Sequence, residues 1–174
     1  MDIMEAMQAR HSVRSYTDKP IEGETLEMLE KTIDECNRES GLHIQLVRNE
    51  PMAFGGGLAH YGKFADVKNY LALVGKKDKQ LDEQCGYYGE KIVLAAQTLG
   101  LNTCWVGLTF KKVPDAFTIT DGEKLVVVIA IGYGVTQGAA RQSKTGLGPF
   151  SKVDLGIVKY HFELGSGKDR MLWL

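Results

Sequence analysis

The apolar residues near the N-terminus follow a helical spacing. Asp2 and Glu5 form a capping-box pair, which predicts a short helix that begins beside them and ends near Gln8 or Ala9. A second helix is indicated by apolar residues at positions i, i+3, i+7 and i+10, with charged residues between them. These apolar residues are Leu26, Leu29, Ile33 and Cys36.

The longest helical stripe covers residues 80–99. Its apolar positions are Leu81, Cys85, Tyr88, Ile92, Ala95 and Leu99. Gly100 follows, and glycine suits the left-handed residue that closes a helix. A last helix is predicted to begin with Ser151 and Asp154. It carries apolar residues spaced for packing, which are Leu155, Val158 and Phe162.

Four segments are predicted to be strands. Residues 43–48 alternate between polar and apolar side chains, and residues 70–74 and 103–106 are short apolar segments. Residues 125–131 form an uninterrupted apolar run that ends at Gly132, as expected of a strand covered on both faces, so we place this strand in the centre of the sheet. The order helix, helix, strand, strand, helix, strand, strand, helix predicts an α+β domain with a sheet between helices.

The composition bounds the class of protein. The chain has 174 residues, enough for one domain over residues 1–174 with its own core. Its 21 Lys and Arg against 22 Asp and Glu give a net charge of -1, so no overall field attracts nucleic acid or an anionic membrane. Its three cysteines form no C-x-x-C pair, which favours a reducing compartment, and we expect the cytoplasm. The N-terminus lacks the pattern of a signal peptide, and no apolar run approaches the roughly 20 residues of a membrane span.

Residues 10–16 combine two arginines, a histidine and hydroxyl groups directly after the first helix. Arginine offers planar pairs of donors for phosphate oxygens, and a hydroxyl between two arginines adds a neutral donor. The segment is therefore either an anion-binding site or a solvated charged loop, and composition alone favours the loop.

The sequence Arg10-His11-Ser12-Val13-Arg14-Ser15-Tyr16, followed by an acidic turn with Pro20, resembles the opening of the nitroreductase-like flavoproteins. In that family the first arginine, the next basic residue and the serine hold the phosphate and ribityl chain of flavin mononucleotide (FMN). A further basic residue lies near the pyrimidine edge of the flavin. The resemblance implies these roles for Arg10, His11, Ser12 and Arg14.

Further blocks resemble the same family. Residues 86–90, with the sequence GYYGE, lie on the long helix, which in the family lies at the dimer interface. Residues 103–107, with the sequence TCWVG, end in a turn. For the backbone of this turn the resemblance implies contacts to flavin N5 and O4. The implied contacts are Val106, Gly107 and Leu108, and glycine allows the close approach. After a third block at 128–134, Arg141 and Lys144 are either phosphate contacts or solvated charges.

Together these blocks cover most of the chain and resemble the branch usually labelled "putative nitroreductase". The resemblance implies a homodimer with a mixed central β-sheet flanked by helices. It also implies an FMN-dependent enzyme that carries hydride from NAD(P)H through flavin N5 to a nitroaromatic, quinone or similar acceptor by ping-pong kinetics.

One departure keeps an alternative open. Many members carry a P-[ST]-x-x-N-x-Q segment whose Asn and Gln contact the flavin, and this chain lacks it. Only Asn37 and Gln45 lie near its usual place. The alternative is a non-catalytic dimer, with or without flavin, that serves as a sensor or interaction protein.

Other candidate sites are weaker. Residues 57–64 imitate a phosphate loop but end in Phe64, where a magnesium-binding Ser or Thr is needed. The four histidines lack the spacing of a zinc site, and no G-x-S-x-G segment presents a serine nucleophile. Cys104, beside Trp105, is expected to be a buried apolar residue rather than a thiolate.

Overall fold

The computed structural model describes residues 1–57, 62–139 and 148–168. The helices in these ranges are α1 (Ile3–Ala9), α2 (Gly23–Ser40), α3 (Leu81–Thr98) and α4 (Ser151–Ser166), and a short 3₁₀ turn covers Met52–Phe54. The strands are β1 (His43–Val47), β2 (Tyr70–Lys76), β3 (Asn102–Val106) and β4 (Glu123–Gly132). This is the predicted order of elements, and the α+β fold class is confirmed. None of the described helices has the length and apolar content needed to cross a membrane.

The four strands form one sheet in the order β1-β2-β4-β3, and neighbouring strands are antiparallel. β4 therefore lies inside the sheet, as its apolar run predicts, and residues 127–131 are almost fully buried. The resemblance implies a mixed sheet, with parallel as well as antiparallel pairs. Among the described residues, parallel pairing is limited to two single bridges, one between Ser12 and Thr103 and one between Ser15 and Ala65. Ser12 thus lies beside β3, at the edge of the sheet opposite β1.

Helix α3 lies at the centre of the core. Four residues of its predicted stripe are buried inside the chain, since Leu81, Cys85, Tyr88 and Ile92 are each 1% exposed or less. The other two, Ala95 and Leu99, are partly exposed. The four buried residues belong to the larger of two apolar clusters, together with residues of α2 and of the sheet. Gly100 has a φ of +78°, as expected of the residue that follows a helix end.

Two glycines bring α3 and α4 into backbone contact. A Cβ added to Gly86 on α3 would overlap the carbonyl of Val153, lying 2.8 Å from its carbonyl carbon. A Cβ added to Gly156 on α4 would lie 2.6 Å from the backbone nitrogen of Tyr87. Because real Cβ atoms do not approach other atoms so closely, this crossing requires glycine at both positions. The first glycine of the GYYGE block therefore has a packing role.

The prediction for the packing face of α4 was wrong. The predicted residues are exposed, with Leu155 at 45%, Val158 at 61% and Phe162 at 48%. The face that packs on α3 instead carries Val153, Gly156 and Tyr160. The close approach at Gly156 decides the orientation of the helix, because the helices meet where no side chain separates their backbones. The helix begins at Ser151 as predicted, with Phe150 as a cap that makes no side-chain bond.

Candidate functional site

Residues 10–16 leave α1 and run along the outer edge of β3. Arg10 is the extended C-cap of α1, and the backbone N–H of Val13 donates to the carbonyl of Thr103 at 3.0 Å. The hydroxyl of Tyr16, whose ring is 3% exposed, donates to the carbonyl of Val13 at 2.7 Å. These two buried side chains fix the backbone on which the predicted site residues stand. Burial also raises the pKa of Tyr16 well above its ordinary value, so its phenol stays protonated.

A cleft of about 470 Å³ opens where this segment meets the end of β3. Its lining includes one predicted side chain, Arg14, and the predicted backbone contacts Val106, Gly107 and Leu108. Sequence reasoning did not predict the other lining residues, which are Gly62, Lys63, Phe64, Trp105, Thr109 and Phe150. The cleft volume lies within the range of ordinary ligand-binding sites.

The cleft carries two cations, Arg14 and Lys63. The Arg14 guanidinium carbon lies 5.8 Å from the centre of the Phe64 ring, which helps to hold it. Neither cation takes part in an ion pair with another described residue. The cleft is therefore positively charged and suits a ligand with anionic or carbonyl oxygens. In the sequence, Lys63 belongs to the segment at 57–64 that imitates a phosphate loop, and this is the local signal that marks it. Residues 58–61 of that segment lie outside the described ranges.

Arg10 lies beside a buried carboxylate. Its Nε atom is 3.8 Å from Oε1 of Glu90, which is 2% exposed. Glu90 also accepts from the indole N–H of Trp105 at 3.1 Å, and the Nε2 atom of His161 lies 3.0 Å from it. Among the described residues the Nη1 atom of Arg10 is buried without a hydrogen-bond partner. An anionic oxygen beside that nitrogen would satisfy it, since an unpaired buried donor is unfavourable.

The remaining predicted residues are not part of the cleft lining. Ser12 is exposed on the same segment, and His11 packs beside Gly138, where an added Cβ would lie 2.9 Å from the His11 Cβ. Arg141 and Lys144 lie outside the described residues. The structure thus brings Arg14 and the turn at 106–108 together, and leaves Arg10, His11 and Ser12 on the adjoining stretch.

Asn37 and Gln45 stand far from this cleft. The Asn37 amide accepts from the backbone N–H of Ile44 and donates to its carbonyl, at 2.8 and 2.9 Å. Gln45 exchanges two similar bonds with the backbone of Thr118. Both side chains are bound at β1, the edge of the sheet opposite β3. Both side chains stabilise the local backbone, so they do not take the place of the missing segment whose Asn and Gln contact the flavin in other members.

The histidines and cysteines set apart from the cleft can be located in the structure. The described residues contain no group of three or more His, Cys, Asp or Glu that could hold a metal. Cys104 is 1% exposed, as expected of a buried apolar residue. The other two thiols, Cys36 and Cys85, are also buried, and desolvation raises the pKa of each to about 12. No thiolate nucleophile is therefore expected near neutral pH from these two cysteines.

Known proteins resemble this chain over most of its length. A family model described as "Putative TM nitroreductase" matches residues 2–147. The chain is 31% identical over 153 residues to the "Putative NADH dehydrogenase/NAD(P)H nitroreductase" of Methanothermobacter thermautotrophicus. That alignment covers 76% of this chain and 78% of the relative.

Two solved structures share the fold. One is the "putative nitroreductase in complex with FMN" of Desulfovibrio desulfuricans, with a TM-score of 0.62, 16% identity, and coverage of 84% of this chain and 93% of the other. The second is the nitroreductase with bound FMN of Bacteroides fragilis, with a TM-score of 0.58, 21% identity, and coverage of 86% and 96%.

Proposed function

The chain belongs to the TM nitroreductase family, and on that premise we propose that it is an FMN-dependent NAD(P)H oxidoreductase. The proposed acceptor is a nitroaromatic, a quinone or a similar flat molecule. The observation that carries the proposal is the cleft in which Arg14 faces the turn at 106–108, because two separate sequence blocks meet there. We place the enzyme in the cytoplasm, since its three cysteines are buried and form no disulfide.

The residues of the cleft fit FMN by their chemistry. Arg14 and Lys63 supply positive charge for the oxygen-bearing edge of a flavin, and the backbone N–H groups at 106–108 supply neutral donors. On the adjoining stretch, Arg10, with its unpartnered buried Nη1, and Ser12 supply donors for a phosphate. His11 is proposed for the same role.

Arg141 and Lys144 are further proposed phosphate contacts, on the evidence of the sequence alone.

Bound FMN would supply the redox chemistry, taking hydride from NAD(P)H and passing it to the acceptor. The chain's own part is positioning and electrostatics. Arg14 stabilises negative charge that develops near it, and it does so without rearrangement because the backbone of residues 12–16 is fixed by Val13 and Tyr16. We assign no side chain as a general acid or base.

We also propose that the protein is a homodimer, with α4 at the interface. Most of the stripe of α3, from Leu81 to Ile92, is buried within its own chain and is not available for a partner. The exposed apolar residues Leu155, Val158 and Phe162 stand on one face of α4 at helical spacing. An exposed apolar face of this kind is typical of an interaction surface, and a second copy of the chain would cover it symmetrically.

A non-catalytic dimer that kept the scaffold is the second candidate function. It is favoured by the position of Phe150, because a Cβ added to Gly107 would lie only 2.5 Å from Cζ of that ring. The ring therefore covers the glycine to which we assign a flavin contact. The absence of the P-[ST]-x-x-N-x-Q segment favours the same alternative.

Steady-state kinetics with NADH or NADPH and a panel of nitroaromatics and quinones test the proposal. An FMN-loaded enzyme is expected to sustain turnover of the nicotinamide only when an acceptor is present, because each flavin takes up a single hydride until an acceptor removes it. Ping-pong exchange predicts parallel double-reciprocal lines as the acceptor concentration changes. A colourless protein that ignores added FMN and oxidises neither nucleotide would support the non-catalytic alternative.

A further inference from the structure

The cleft adjoins a second cavity, and the two share part of their lining. The second cavity has a volume of about 300 Å³ and lies between β4 and the start of α4. Three residues line both cavities, namely Trp105, Gly107 and Phe150. We call the second space the side cavity. The side cavity therefore lies directly beside the cleft that we propose for the flavin.

Phe150 is held in place from both sides. Its carbonyl accepts from the backbone N–H of Asp154 at 3.0 Å, so its backbone is part of the first turn of α4. Helix α4 is itself fixed by the glycine crossing with α3, where Gly86 meets Val153. On the other side the ring rests on Gly107, with no Cβ between them. The ring therefore lies at the boundary of the two cavities, packed against Gly107.

The side cavity is apolar. Val127 and Val153 are each 3% exposed and form part of its lining, and Ile157 adds a further aliphatic side chain. The charged lining residue, Asp154, is exposed to solvent. Such a lining suits an uncharged aromatic ring better than a phosphate.

Resting on the proposed function, we propose that Phe150 determines acceptor specificity by closing the side cavity to the acceptor. With the ring in place, the acceptor has no access to the side cavity, and small flat acceptors of a single ring are preferred. Without the ring, the two cavities join, and the second ring of a larger quinone can occupy the side cavity. The expected acceptors of the wild type are therefore quinones or nitroaromatics built on one ring.

The test compares two quinones that carry the same methyl group, toluquinone with one ring and menadione with two. The ratio of their kcat/KM values is measured for the wild type, Phe150→Ala and Phe150→Leu. The ratio does not depend on the fraction of active enzyme, so a loss of stability does not affect it. Phe117→Ala is the matched control, because Phe117 is a partly exposed phenylalanine that lines a different cavity.

Phe150→Ala is expected to shift the ratio about 10-fold toward menadione, the size of discrimination typical of a hydrophobic pocket. Phe150→Leu is expected to shift it less, and Phe117→Ala not at all. A ratio that stays within about two-fold of the wild type in Phe150→Ala would overturn the inference, and so would an equal shift in Phe117→Ala.

A binding measurement separates this inference from the proposed function. Trp105 lines both cavities, so menadione bound there should quench tryptophan fluorescence in the FMN-free protein. Phe150→Ala is expected to bind menadione about 10-fold more tightly than the wild type, with toluquinone binding unchanged. If the wild type oxidises no nicotinamide with either quinone, the proposed function fails, and this titration still decides the role of Phe150. Unchanged menadione binding in Phe150→Ala would contradict the inference.

Discussion

Replacing Gly86 with alanine perturbs the crossing of α3 and α4 at one atom. The new Cβ would overlap the carbonyl of Val153 and lie 3.0 Å from its Cα. Both are backbone atoms of a helix, so no rotamer change can relieve the contact. Helix α4 has to move away from α3, and the burial of Val153 and Tyr160 is weakened with it.

The size of the effect follows from two opposing contributions. Overpacking against backbone costs about 3 kcal/mol, the upper end of the usual range. Alanine in a helix interior recovers about 1 kcal/mol relative to glycine. The net loss is about 2 kcal/mol, which corresponds to a melting temperature lower by about 4–8 °C for a chain of this size.

Gly165→Ala provides the matched control on α4. A Cβ at Gly165 meets no atom within 4 Å, so only the helix-propensity effect remains. This variant is expected to melt about 1–4 °C above the wild type. Thermal unfolding followed by circular dichroism measures both variants under the same conditions. If Gly86→Ala melts at or above the wild-type temperature, the two helices do not cross as closely as described, and the explanation of the GYYGE block is refuted.

Three further predictions concern the cofactor, the thiols and the assembly. Arg14→Ala is expected to weaken FMN binding about ten- to a hundred-fold in a fluorescence titration, because the variant loses a charge-assisted hydrogen bond. Arg48 is exposed just after β1, so Arg48→Ala should leave FMN binding unchanged. Equal losses in the two variants would contradict the role assigned to Arg14. Cys36 and Cys85 should react with a thiol reagent only after denaturation, since burial raises the pKa of each from 9.0 to about 12. The contribution of these two thiols to stability is complete below their unfolded pKa and is lost as the pH rises from 9.0 to about 12. The protein should therefore unfold at a lower urea concentration at about pH 10 than at about pH 8. A higher urea midpoint at about pH 10 would refute the burial argument. Light scattering should show that Val158→Asp is a 19.2 kDa monomer and that the wild type is a dimer. A monomeric wild type would refute the dimer, and a dimeric variant would show that the interface does not include Val158.

The sequence predicts the elements well where the signal is local. The capping box of Asp2 and Glu5 forms as predicted, with both bonds at 2.9 Å. The apolar run of β4 indicates its interior place in the sheet, because a strand covered on both faces needs apolar residues on both. The motif in residues 10–16 is also a local signal, because its residues are neighbours in the chain. It correctly indicates the stretch of backbone that lies beside the cleft.

The sequence does not predict features that depend on distant contacts. The apolar spacing of Leu155, Val158 and Phe162 is a sound signal of an amphipathic face, but it does not say whether that face meets the core or a partner. Phe150 and Gly107 are brought together only by the placement of α4. The carboxylate of Glu90 lies beside Arg10, 80 positions away in sequence, and no local pattern connects them.

We propose that this chain binds FMN and passes hydride through it. The most direct test is anaerobic addition of NADH or NADPH to the FMN-loaded protein, followed at the visible absorbance band of the oxidised flavin. At least one of the two nucleotides is expected to bleach the band, and a quinone added afterwards is expected to restore it. A protein that takes up no FMN, or whose flavin band persists with both nucleotides, would show that the chain does not carry hydride through FMN.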